Sequence, residues 1–373
     1  MDVNTMKPFI KTAWEKAGFE DATDIQNAAV PVILAGRDVL AESPTGTGKT
    51  LAYLLPLLNK IDAEKKHIQA VILASSHELV MQILQELQKW SEGSGIASAS
   101  FIGGANMKRQ LDKLKKRPQV VVGTPGRISE LIKNKKLKMH EVKTIVLDEA
   151  DSLLVPEHSN TVKGIIKSTL NDRQLLLFSA TLPEKTHSEA LQLMKDPEVI
   201  TVERKEADRG NVEHIYFVAE ARDKIVILDK LIKTQNMKAL AFIKDIGELS
   251  VLSSKLEYKG LENGVLHSES KKADREAALR NFRSGKSNLL LASDVAARGL
   301  DIQGLENVIH YDLAKDTDQY VHRSGRTGRQ GAKGRVISIV TEREERELKK
   351  LAKELGITVH KKQMYKAEIV DAQ

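Results

Sequence analysis

The 373-residue chain contains no cysteine, which excludes disulfides and thiolate-held metals outright. No stretch approaches the roughly eighteen uncharged apolar residues of a membrane-spanning helix. The opening segment, MDVNTMKPFIKTAWEK, has no apolar core of signal-peptide length. No low-complexity tract interrupts either half, and the last residues carry no arginine-glycine repeat. These absences lead to the expectation of a cytoplasmic protein with no membrane partner. What the chain does have is an excess of base: 58 Lys and Arg against 51 Asp and Glu give a formal charge of +7. A polyanionic partner suits that balance, as does a basic surface that serves only solubility. The length suits two domains of roughly 150 to 200 residues each.

Ser43 to Thr50 read SPTGTGKT. They lie between a short apolar run, Asp38 to Glu42, and a run from Leu51 to Leu58 with apolar residues on a helical face. A glycine-rich turn at such a place points backbone N–H groups at phosphate oxygens, and the helix N-terminus adds partial positive charge. Ser43, Pro44, Thr45, Gly46, Thr47 and Gly48 would then cradle the phosphates. Lys49 would reach the β- and γ-phosphates, and the Thr50 hydroxyl would hold Mg²⁺. Ser43 stands where the strict pattern G-x-x-x-x-G-K-[ST] has its first glycine, so a merely tight strand-to-helix turn is the bland alternative. About a hundred residues on, the β-branched run from Thr144 to Leu147 ends in Asp148-Glu149-Ala150-Asp151. A carboxylate at a strand end beside a phosphate loop holds Mg²⁺ through water, which suits Asp148. Glu149 can orient and deprotonate the attacking water. Taken alone, the pair reads equally well as two solvated acids.

Together, the loop and Asp-Glu-Ala-Asp resemble the DEAD-box RNA helicase family of superfamily 2, and further matches follow in order. Gln26 lies in GFEDATDIQ with Phe9 seventeen positions upstream, similar to the family's adenine-reading motif. Gly103-Gly104 and TPGR (Thr124 to Arg127) resemble the first-domain RNA contacts. Ser179-Ala180-Thr181 resembles the motif that links hydrolysis to strand separation. SDVAARGLD (Ser293 to Asp301) and HRSGRTGR (His322 to Arg329) resemble the second-domain motifs. The matches run from Phe9 to about Leu355, and the short, core-only helicases of Gram-positive bacteria are the most similar members.

Strand-like apolar runs alternate with helical patterns in both halves, which predicts an α/β fold with parallel sheets flanked by helices. First-half strands are expected near Val39, Val71 to Leu73, Val120 to Val122, Ile145 to Leu147 and Leu175 to Phe178. Leu79, Val80, Ile83, Leu84 and Leu87 make one apolar helical stripe. Second-half strands are expected at Ala239 to Ile243, Leu289 to Leu291, Val308 to Tyr311 and Val336 to Val340, with a final helix at Glu344 to Leu355. With the resemblance, this becomes two tandem RecA-like domains. The N-terminal ATP-binding domain covers 1–203 and a flexible linker 204–211; the C-terminal domain covers 212–357, followed by a short tail, 358–373.

The resemblance implies ATP as substrate with Mg²⁺, and RNA, single-stranded or short duplex, as partner to a monomer. Gln26 has the donor and acceptor that match adenine's N6 and N7, and Phe9 would supply an aromatic face. Asp301 would accept from the ribose hydroxyls. Arg326 and Arg329 would reach the γ-phosphate once the domains close, where an arginine stabilises charge on the transferred phosphoryl group. Gly104, Thr124, Arg127 and Ser293 would contact RNA, mainly phosphates and 2′-hydroxyls, distinguishing RNA from DNA without reading sequence. Ser179 and Thr181 would couple hydrolysis to separation of a few base pairs, and ribosomal RNA is a family-level expectation for the target.

The chain departs from the family at Ala22, where proline is usual. Ser75-Ser76-His77-Glu78-Leu79 replaces Pro-Thr-Arg-Glu-Leu, so His77 removes a permanent cation near the RNA path. Ser268 and Lys272 are further departures. Two alternatives stay open: an ATP-gated RNA clamp that rarely unwinds, and a DNA helicase of the same superfamily.

Overall fold

The computed structural model describes residues 1–203, 212–234, 236–267, 269–297, 302, 305–328, 332–366 and 368–372. The expected linker 204–211, Ser268, Asp301 and Arg329 lie outside them, as does the side chain of Lys272. The chain divides into two compact units, Met1–Arg204 and Lys205–Gln373.

In the first unit β1 (Val39–Glu42), β2 (Ala70–Leu73), β3 (Ser98–Phe101), β4 (Val120–Gly123), β5 (Thr144–Asp148), β6 (Gln174–Ser179) and β7 (Glu198–Thr201) form a seven-stranded sheet. Their order is β3-β4-β2-β5-β6-β1-β7, and every pairing is parallel. Parallel strands covered on both faces read as continuous apolar runs. Alternate side chains enter opposite layers: Val39, Ala41, Ala70 and Ile72 join one cluster, while Leu40, Val71 and Leu73 join the other. The first layer is closed by α1 (Pro8–Ala17), α2 (Asp24–Leu34), α3 (Lys49–Lys60) and α4 (His77–Trp90). Around the second lie α5 (Met107–Lys115), α6 (Pro125–Lys133), α7 (Ala150–Leu153), α8 (Pro156–Lys167) and α9 (Glu184–Leu193). α4 forms where its stripe predicts it: Leu79, Val80, Ile83, Leu84 and Leu87 are buried, and the Ser76 Oγ caps the helix by accepting from the Leu79 N–H at 3.1 Å.

The second unit has an eight-stranded sheet of β8 (Val212–Val218), β9 (Ala239–Phe242), β10 (Asn263–Leu266), β11 (Leu289–Ala292), β12 (Asn307–His310), β13 (Gly334–Val340), β14 (His360–Tyr365) and β15 (Glu368–Asp371). The order is β10-β11-β9-β12-β13-β8-β14-β15, parallel except for the β14–β15 hairpin. Segment 358–373, expected as a bare tail, therefore carries two strands, with Met364 and Ile369 packed against the core. The helix Glu342–Leu355 starts at a reciprocal cap between Thr341 and Glu344.

Candidate nucleotide and RNA site

In an open parallel sheet, ligands bind beyond the carboxyl ends of the strands. Apart from Phe9 on α1 and Gln26 on α2, the residues expected to carry function in the first unit follow six such ends. Ser43 to Thr50 follow β1, the Asp148-Glu149 pair closes β5, and Ser179 to Thr181 end β6; these three strands are neighbours. Gly103-Gly104, Thr124 and Ser75 to His77 follow β3, β4 and β2, also neighbours. The residues expected at the nucleotide thus lie on one half of the sheet, the nucleotide half, and those expected at RNA on the other, the RNA half; the halves meet where β2 pairs with β5.

In the nucleotide half the loop is fixed by its own polar groups. The hydroxyls of Ser43 and Thr47 are 2.6 Å apart, and Thr47 donates to the Pro44 carbonyl at 2.8 Å. The Ser43 N–H donates to the Ser179 carbonyl at 3.1 Å, tying the loop to β6. Gly48 adopts φ +90°, and a Cβ there would lie 2.6 Å from the Gln26 Nε2, so both conformation and space demand glycine. As the N-cap of α3, Gly48 makes no side-chain cap bond, which leaves the first-turn N–H groups available to an anion. Lys49 turns its amine back onto the carbonyls of Ser43 and, at 2.8 Å, Pro44, so the loop itself aims the cation inward. Gln26 is buried. Its Oε1 accepts from the Thr23 N–H at 3.1 Å and its Nε2 donates to the Gly48 carbonyl at 3.3 Å. Each end of that amide keeps one further hydrogen-bonding valence. Phe9 is half-buried against the cluster that contains Trp14.

Asp148 is 4% exposed; its Oδ2 accepts from the Tyr53 hydroxyl at 2.8 Å and its Oδ1 from the Glu149 N–H at 3.0 Å. Burial pushes its carboxyl up to about 6, with the neighbouring Glu149 adding to the rise, while Tyr53 and Lys49 pull the other way. Burial and Asp148 hold the Tyr53 phenol well above its usual range, so it remains a donor. The Thr50 side chain acts against that rise, so the two expected Mg²⁺ holders both bear on the Tyr53 phenol. Glu149 stands at φ +55°, a left-handed conformation costly for a residue with a Cβ and common at functional sites. Among the described residues no group of three His, Asp or Glu could hold a metal alone. Ser179 donates its hydroxyl to the Asp151 Oδ1, while the buried Thr181 hydroxyl has no partner among the described residues.

In the RNA half, Gly104 is exposed at φ +69° and Thr124 is half-buried at the N-cap of α6. Arg127, in contrast, is buried. Its Nη2 donates to the Ala105 carbonyl at 3.3 Å, its Nη1 meets the Met107 sulfur at 3.4 Å, and its Nε lies 3.2 Å from a Glu130 carboxylate oxygen. It therefore braces the segment after Gly104, together with Gln110, which donates to the Ile102 and Ala105 carbonyls. His77 is exposed in the first turn of α4, its Nε2 3.7 Å from where a Gly103 Cβ would be. Ser76, not His77, caps that helix.

In the second unit, Ser293 follows β11; it is buried, and its hydroxyl has no partner among the described residues. Arg326 is buried, with Nε donating to the His322 carbonyl at 3.2 Å. Arg323 of the same motif is held by both oxygens of Asp294, at 2.6 and 2.8 Å, and by the Asp312 carbonyl. Its guanidinium also covers the Phe242 ring at 5.0 Å.

Several contributors escaped the sequence reading. Tyr53 had one signal, a lone hydroxyl-bearing residue in the apolar run LAYLLPLL. Asp151, Ser75, Asp294 and Arg323 lie inside motifs read from the sequence, but nothing local names their partners, which only the fold brings to them.

Residues 23–190 match the DEAD/DEAH box helicase family and residues 223–331 the helicase conserved C-terminal domain. The chain is 56% identical over 355 residues to the probable ATP-dependent RNA helicase YfmL of Bacillus subtilis, covering 95% of this chain and 94% of that protein. It is 50% identical over 371 residues to the DEAD-box ATP-dependent RNA helicase CshC of Bacillus cereus, covering 100% and 95%. Of solved structures, S. cerevisiae Dbp5 bound to RNA and ADP BeF3 superposes with a TM-score of 0.88 at 29% identity, covering 96% of this chain and 94% of that one.

Proposed function

The chain belongs to the DEAD-box family of ATP-dependent RNA helicases, and from that premise we propose which of its residues do the work. ATP is the substrate of the loop Ser43 to Thr50, with Lys49 on the β- and γ-phosphates. Gln26 reads adenine with its remaining valences, Phe9 covers the base and Asp301 takes the ribose. Mg²⁺, which neutralises phosphate charge when bound, is held by Thr50 and Asp148. Glu149 takes the proton of the attacking water. Arg326 and Arg329 stabilise the charge that develops on the γ-phosphoryl group. Because they belong to a different domain from Lys49 and Glu149, hydrolysis requires ATP-driven closure of the two domains. Gly104, Thr124 and Ser293 contact RNA, Arg127 supports that path, and Ser179 and Thr181 couple it to hydrolysis. Local separation of short duplexes, or remodelling of RNA–protein complexes, follows if the closed state takes a bent single strand better than a duplex. RNA and ATP then bind cooperatively.

The observation that carries this reading is the acid pair at the end of β5: buried Asp148 anchored by Tyr53, and half-buried Glu149 held in a left-handed conformation beside the loop. In RNA-stimulated ATPase assays, Lys49→Ala should lose nucleotide affinity. Glu149→Gln should bind ATP and RNA yet stall, and Arg326→Ala should lose turnover by orders of magnitude with ATP binding retained. Equal loss of ATP affinity in all three would refute the division of roles. The proposed setting is a cytoplasmic monomer. Since none of the proposed contacts reads a base edge, structured RNA, ribosomal RNA first, is the substrate to test by sequencing RNA retained on Glu149→Gln from cells.

A further inference from the structure

We propose that Ser75 is a positioning residue for the hydrolytic step, holding Glu149 from the RNA half of the first sheet. The inference rests on Glu149 being the general base. β2 and β5 are adjacent and parallel, with Leu73 opposite Leu147, so two residues further on Ser75 comes level with Glu149. The Ser75 hydroxyl donates to the Glu149 Oε2 at 3.3 Å. That bond crosses the line between the two halves of the sheet. On one side lie the loop, Asp148 and Ser179. On the other, Ser75 continues directly into Ser76, which caps α4, and His77, which faces Gly103.

The chemistry gives the bond a purpose. A general base works only while its carboxylate stands within hydrogen-bond reach of the proton it removes. Glu149 begins at a strained backbone position, and a carboxylate carried on three rotatable side-chain bonds samples many orientations. A hydroxyl donor on one oxygen removes part of that freedom and narrows the directions in which the carboxylate can meet a water. Because the donor sits on the segment leading to His77, which faces Gly103, a ligand that orders that segment also orders the base. Proline, the usual family residue here, has no donor to offer, so this constraint comes with the serine.

The test compares Ser75→Ala, Ser75→Thr and Glu149→Gln in the full-length protein, by ATPase with and without saturating RNA, ATP KM, RNA affinity and Tm. Ser75→Ala should lower RNA-saturated kcat roughly three- to tenfold, the size of one ordinary hydrogen bond. The loss should be smaller without RNA, with ATP KM, RNA affinity and Tm close to wild type. Ser75→Thr, which keeps the hydroxyl, should retain most of the rate. Unchanged kcat in Ser75→Ala alongside a collapse in Glu149→Gln overturns the inference and leaves the general base in place. A fall explained by weaker ATP or RNA binding, a Thr variant as slow as Ala, or an equal loss with and without RNA overturns it too. Wild-type turnover in Glu149→Gln removes the parent reading, and the role of Ser75 with it.

Discussion

At the carboxyl ends of β1, β5 and β6 the functional side chains are buried or half-buried and bonded to one another, as in Tyr53 to Asp148, Ser179 to Asp151 and Gln26 to Gly48. At the ends of β2, β3 and β4 the groups offered to a ligand are Gly104 and His77, both exposed, and the half-buried Thr124. The one strong cation expected there, Arg127, is spent on the Ala105 carbonyl and Glu130. The difference follows from the two tasks. Phosphoryl transfer needs charges fixed before the reaction, in a site that reorganises little. Holding an RNA backbone of any sequence needs accessible main chain and modest charge, because phosphate contacts position the ligand without specifying it.

The sharpest way to break this comparison is to remove charge from the nucleotide half. Asp148 has its carboxyl raised to about 6 by burial, with Glu149 adding to the rise. A carboxylate raised above its unfolded value means that the folded state holds the proton more tightly. Stability is then greater at low pH and falls as pH rises from about 4 to about 6. Above that window the buried charge is a standing cost. Asp148→Asn keeps an acceptor for the Glu149 N–H and a donor that the Tyr53 hydroxyl can accept. It should therefore raise Tm at pH 7.5, by a margin that shrinks toward pH 5, while ATPase falls by orders of magnitude. Thermal melts at the two pH values check the first part. A lower Tm at pH 7.5 would show that Asp148 is held for stability rather than function.

A smaller effect tests whether Arg127 braces or binds. Truncation to alanine leaves the Ala105 carbonyl and Glu130 without their partner, at a cost of about 1–3 kcal/mol. Arg127→Ala should lower Tm and weaken RNA binding together. Arg127→Lys should recover little of either, since an ammonium cannot span the carbonyl, the sulfur and the carboxylate at once. If Arg127→Ala weakens RNA binding with Tm unchanged, the guanidinium leaves its internal partners to meet RNA directly.

How far the sequence reaches can be judged from the same residues. The loop, Asp148 and Glu149 were legible because local chemistry dictates their spacing, and central strands such as β2, β4 and β11 because they are unbroken apolar runs. β3 reads SASF and β14 reads HKKQMY, which lack the apolar signal, and both were missed. The bonds that make the site work join residues far apart in the chain, 95 positions for Tyr53 and Asp148 and 74 for Ser75 and Glu149. Strand order and register create those pairs, and neither is written in any local pattern. Arg127 shows the converse: its motif was legible, but its burial against Ala105 depends on the path of the preceding loop.

His77 yields the smallest expected effect and bears directly on the RNA half. It is exposed, stands in the first turn of α4 and faces Gly103, while the capping role falls to Ser76. An imidazole is not the permanent cation that an arginine is, so this corner offers RNA less charge than the usual family residue would. Each phosphate neutralised on a single strand contributes about −0.7 to the slope of log K against log salt. His77→Arg should therefore tighten single-stranded RNA binding at pH 7.5 severalfold and steepen the salt slope by about 0.7. Titrations at four salt concentrations measure both quantities. An unchanged slope would place His77 off the RNA path and leave Gly104 and Thr124 to carry that side of the contact through backbone and hydroxyl groups.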